Sequence, residues 1–163
     1  MADDDRAQLI KPPGTLQSKV TVGGPGAVDP STLARAEAVI ADLADDYLEW
    51  VQEDLARIDE AYAALKASPN KETLDKVFQI AHDMKGQGGS FGFDLMTAVG
   101  NQLCRLSERV GKIGPREVEM VRVHIDAMKV IIASKMKGDG GAAGGAILDG
   151  LAAMVAKIEA ENS

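Results

Sequence analysis

One cysteine in 163 residues, Cys104, excludes an internal disulfide, so packing alone must hold the chain together. Only two histidines, His82 and His124, accompany it, and no spacing joins the three into a metal-ligand set. Aromatic residues amount to 4% against 45% hydrophobic residues overall, which leaves an aliphatic, methionine-rich core. Positive charge is scarce as well. The net charge is −7 and no basic stripe is visible, whereas nucleic-acid phosphates demand clustered Lys and Arg. No apolar run approaches the ~20 residues of a bilayer span. The first residues, "MADDDRAQLI", are acidic where a secretory leader is basic and then apolar. These absences point to a cytoplasmic protein that binds neither nucleic acid nor membrane.

What is present is helical periodicity. Residues 1–29 are an exception, because Pro12, Pro13, Gly14, Gly23, Gly24, Pro25 and Gly26 break any long helix and predict a flexible or extended arm. From Asp29, an N-cap candidate followed by Pro30, apolar residues recur every three or four positions from Leu33 to Leu65. "SPN", Ser68–Asn70, is a stop and restart signal. A second helix is expected over 71–91, with a seam of Leu74, Val77, Ala81, Met84, Gly88 and Phe91. Further helices are expected over 93–110 and from Pro115 to Lys137. "GDGGAAGG" reads as a Gly-rich joint over 138–145, before an additional C-terminal helix over 146–163. No segment alternates with period two. Short connections between long amphipathic helices imply an all-α, antiparallel up-and-down four-helix bundle over 30–137, with the arm and the last helix appended.

The stretch "AHDMKGQGGSFGF", Ala81–Phe93, carries glycine at 86, 88 and 89 inside a helical pattern. Each costs roughly 1 kcal/mol relative to alanine, so something must repay them. In projection His82 lies one residue off the seam, on the shoulder of the helix, with Phe78, Gln79, Lys85, Gly86 and Gly89 around it. Gly86 and Gly89 read as clearance beside the imidazole, and Gly88 as room for a neighbouring helix. Lys85, one turn along, disfavours the imidazolium and offsets the negative charge of a phosphoryl group attached to the ring. Gln79 supplies a further hydrogen bond, and Phe78 an apolar docking surface.

"HDMKGQGGSFG", His82–Gly92, resembles the signature of the histidine-containing phosphotransfer (HPt) family: H-x-x-K-G, then a glycine ten residues after the histidine. His82, Lys85, Gly86 and Gly92 all match, and the resemblance extends over residues 40–136 with the flanking amphipathic helices. It implies that His82 accepts a phosphoryl group, normally on Nε2, and exchanges it with an aspartate of a response-regulator receiver domain. A histidine or hybrid kinase stands upstream. Such a carrier is not itself an enzyme and needs no cofactor or metal of its own; Mg²⁺ belongs to the partner receiver. A monomer is expected. Phe78, Gln79, Phe93 and the end of the third helix are the candidates for partner contact. Two alternatives stay open: a docking module that sequesters a receiver without chemistry, and a phosphate loop at "GQGGSFG", which lacks any accompanying base or metal ligands.

Overall fold

Local chemistry sets where the helices begin and end. The computed structural model describes residues 24–109 and 111–160. Its helices are α1 (Pro30–Ala67), α2 (Lys71–Ser90), α3 (Asp94–Arg109), α4 (Pro115–Ala133) and α5 (Gly141–Ala160), with no strand among the described residues. The chain divides into two compact units, residues 1–39 and 40–163. In the described part of the first, the Ala27 N–H closes a turn onto the Gly24 carbonyl at 3.1 Å, and the Asp29 carbonyl accepts from the N–H groups of Thr32 and Leu33. Most of the arm expected over 1–29 lies outside the described residues.

The second unit holds the core. Tyr47, Val51, Ile58 and Leu65 are fully buried along one face of α1. At the start of α2 the Asn70 side chain accepts from the Thr73 N–H at 3.0 Å, while the Asn70 N–H donates to the Thr73 hydroxyl at 3.2 Å. This reciprocal capping box satisfies two donors that a helix start leaves without partners. Leu74, Val77, Ala81, Met84 and Gly88 then form the buried seam of α2. Leu95, Met96, Val99 and Leu103 face it from α3, and Met128 and Ile131 complete the core from α4. Neighbouring helices pack in chain order from α2 to α5, and α3 also touches α5. Tyr47 ties α1 to the α2–α3 turn through rings 5.1 Å away at both Phe91 and Phe93. The ion pair Asp59–Lys129, at 2.6 Å, ties α1 to α4.

Two boundaries differ from the sequence expectation. α4 stops at Ala133 rather than at Lys137, and α5 begins at Gly141, inside the stretch read as a joint. The reason is tertiary. The Gly138 N–H donates to the Gly92 carbonyl at 2.6 Å, and the Leu95 N–H to the Gly138 carbonyl at 2.9 Å, so the glycines are pinned to the α2–α3 turn. A Cβ at Gly144 would collide with the Asp139 carbonyl, so glycine lets the first turn of α5 close tightly.

α5 also corrects the expectation that no segment reaches membrane-spanning size. With 20 residues and a mean hydropathy of 1.4, it is long and apolar enough by length and composition to cross a bilayer. Alanines together with Ile147, Leu148, Leu151, Met154, Val155 and Ile158 raise its mean, while interspersed glycines and single charges keep any continuous apolar run short. Its buried residues, Gly144 and Leu151, lie on the side that packs against α4 and α3.

Candidate functional site

His82 projects from the middle of α2 with 58% of its side chain exposed. The seam residues on either side of it, Ala81 and Met84, are fully buried, so the packing that orients α2 also turns the imidazole outward. The Phe78 ring, one turn earlier, lies 6.1 Å away at 38° and forms a half-buried apolar wall beside the imidazole. Asp83 Oδ1 is 3.9 Å from Nδ1, too far for a hydrogen bond.

The remaining neighbours separate onto two flanks. Gln79 and Asp83 line a groove of about 430 Å³ between α1 and α2, together with Arg57, Glu60, Lys76 and Ile80. Arg57 there is paired with the buried Asp54 carboxylate at 2.8 Å, so Asp54 belongs to the core edge and not to a solvated face. Lys85 lies on the opposite flank, against α3. Its backbone carbonyl accepts from the Thr97 hydroxyl at 2.9 Å. Its stem crosses Gly100, where an added Cβ would stand 2.7 Å from Lys85 Cβ. Burial pushes the Cys104 thiol above its ordinary pKa, and the Lys85 ammonium opposes that shift. Lys85 is thus held by α3 at its base while its charge stays near the α2–α3 surface.

The glycines divide as well. Gly86 has open space where a Cβ would stand, on the α1 side of His82. Gly88 is the packing glycine, since a Cβ there would lie 2.8 Å from Met96 Cβ. Gly89 is exposed, and a Cβ there would also meet the Thr97 hydroxyl at 3.0 Å, so this position borders α3 as well as the open surface.

Phe93 is corrected outright. Expected at the partner surface, it is fully buried with its ring against Tyr47. Gly92, with φ +80°, reverses the chain after α2, and the Phe93 N–H returns to the Gly88 carbonyl at 2.8 Å. Phe91 is the half-buried aromatic at this corner, with Trp50 set edge-on to it at 6.0 Å. Sequence reasoning missed Gly100 and Thr97, which shape the Lys85 flank. A glycine inside "TAVGNQL" carries the same helix penalty as Gly86 and was the available signal. His124 is 1% exposed and donates from Nδ1 to the Met120 carbonyl at 2.7 Å. Among the described residues, no three His, Cys, Asp or Glu side chains gather as metal ligands.

An exposed imidazole between a cationic flank and an open glycine suits a group that another macromolecule must reach. A family model described as Hpt domain matches residues 42–161, a span that continues through α5. No curated protein and no solved structure matches the chain. The matched span covers well over half of the sequence, and the chain belongs to the Hpt domain family, whose members carry phosphoryl groups on histidine in two-component phosphorelays.

Proposed function

We propose that His82 is the phosphoryl carrier of this chain, receiving the group from the aspartyl phosphate of a receiver domain and returning it to another. The observation that supports this most is a single arrangement: a 58% exposed imidazole with Lys85 one turn along and open space at Gly86. The lone pair of Nε2 attacks phosphorus, the bond from phosphorus to the aspartyl oxygen breaks, and the carboxylate leaves with the electron pair. The reverse transfer runs through the same geometry. Mg²⁺ held by the receiver supplies charge neutralisation there, and Lys85 supplies it from this side. Gln79 contributes a donor from the α1 flank. Phe78 gives the partner an apolar footing, and Gly86 lets its backbone approach.

In this reading α1 to α4 act as an antiparallel up-and-down four-helix bundle with α5 laid beside it. The protein works as a cytoplasmic monomer between a histidine or hybrid kinase and its receivers. It has no nucleotide site and no resident cofactor.

The test is phosphotransfer from a panel of labelled receiver domains, beside His82→Ala and Lys85→Ala. Label on the wild type that is acid-labile, base-stable and lost in His82→Ala supports the carrier. Lys85→Ala should slow transfer about 10- to 100-fold, consistent with losing one charge contact in the transition state. A receiver that binds wild type and His82→Ala equally, yet transfers nothing, would replace the carrier by the sequestering module.

A further inference from the structure

The core-facing stripe of α1 continues as exposed apolar surface that the phosphotransfer site does not use. Within the second unit, Ile40, Leu43 and Trp50 are 59%, 39% and 50% exposed. In helical projection all three fall within about 80° of one another, on the same side as the buried Tyr47. Trp50 is not loose, because its ring stands edge-on to Phe91 at 6.0 Å, an aromatic geometry that fixes its orientation. Alongside runs a row of exposed carboxylates at helical spacing, Asp42, Asp46, Glu49 and Glu53, joined by Asp45. No Lys or Arg occurs from Ile40 to Ala56.

A second copy of the same face would bring two such rows together, and like charges disfavour that pairing. A lysine- or arginine-rich partner meets both features at once. We propose that this face of α1 is a docking seat for a basic amphipathic helix, whose apolar side covers Ile40, Leu43 and Trp50 while its cations meet Asp42, Asp46 and Glu53. The seat is independent of the phosphoryl chemistry. Trp50 lies at the Phe91 end of α2, more than two helical turns from His82.

Trp50 is the sole tryptophan, so its emission reports this face directly. The probe is an 18-residue amidated peptide with leucines at helical spacing and lysines elsewhere, titrated into the full chain. Its counterpart carries glutamate in place of every lysine. The proposal expects a saturable blue shift with the lysine peptide only, weakened at least tenfold by Leu43→Ser and by the pair Asp46→Asn, Glu53→Gln. The pair Asp149→Asn, Glu159→Gln on α5 removes the same charge and should leave the titration unchanged, as should His82→Ala. The proposal is overturned by the absence of a shift or by equal binding of the glutamate peptide. Equal weakening by the α5 pair, which would reveal bulk charge, also overturns it. So does a dimer by sedimentation whose Trp50 emission follows protein concentration.

Discussion

Single methyl groups separate the roles of the glycines around His82. A Cβ at Gly86 meets nothing within 4 Å, so Gly86→Ala should gain up to about 1 kcal/mol of helix stability. The added methyl also sits beside the imidazole where the partner must approach, and transfer should slow by about tenfold, or ~1.4 kcal/mol of activation. Gly88→Ala should do the reverse. Its Cβ would press on Met96 and on the Phe93 carbonyl, costing about 1–3 kcal/mol of overpacking, while His82 chemistry in the folded fraction stays near wild type. Urea midpoints and single-turnover transfer rates on both variants check the contrast; if both merely lose stability, Gly86 is a packing residue. His82, Lys85 and Gly86 were legible because their relation is internal to one helix and follows from its 100° period. The approach of Gly89 to Thr97 and of Gly100 to Lys85 was not, because it is set by where α3 lies. Phe93 was misplaced for a related reason: periodicity counts positions along a helix and does not register the reversal at Gly92.

At the scale of the helices, stop and start signals were the most readable feature. "SPN" marked the α1–α2 corner, and the structure places an Asn70–Thr73 capping box there, with the Thr73 hydroxyl also donating to the Ser68 carbonyl at 2.8 Å. Asn70→Ala should therefore cost about 1 kcal/mol, read as a lower urea midpoint with an unchanged m-value. Asn70→Asp keeps the acceptor and should recover most of that loss; an Ala variant as stable as wild type would mean that the corner is held by core packing alone. The opposite end of the chain shows the limit of local signals. Five glycines between 138 and 145 read as a joint on propensity, which disfavours glycine in helices by about 1 kcal/mol each. The hydrogen bonds from Gly138 to the α2–α3 turn and the tight approach at Gly144 override that preference, and neither contact is visible from spacing along the chain. Alanines and aliphatic side chains beyond those glycines let α5 reach the mean hydropathy of a membrane span while it packs on α3 and α4.

For the molecule as a whole, the buried ionisable groups predict how stability follows pH. Burial lowers the pKa of His124 from its ordinary 6.5, and the hydrogen bond to the Met120 carbonyl only partly opposes that shift. The unfolded chain therefore takes up this proton more readily than the folded one. Stability is full above pH 6.5 and falls as pH drops below it, by at most about 1.4 kcal/mol per pH unit for one proton. Glu117 adds a second, more acidic loss. Burial pushes its carboxyl up, but hydrogen bonds from the Gly114 N–H and its own N–H, with Arg116 alongside, outweigh burial and hold it below the ordinary 4.5. Its contribution is complete above pH 4.5 and disappears as pH falls through the lowered folded value. Both shifts thus act in the same direction, and urea midpoints should be level from pH 8 to 6.5, decline towards pH 5, and steepen below 4.5. Arg105 and Glu159 line the cavity of about 270 Å³ beside His124, where α5 meets α3 and α4. His124→Gln removes the titrating ring and should flatten the decline between pH 6.5 and 5 while leaving the acidic step. A wild type already flat over that interval would mean that the cavity accepts an imidazolium, with Glu159 as its counter-ion.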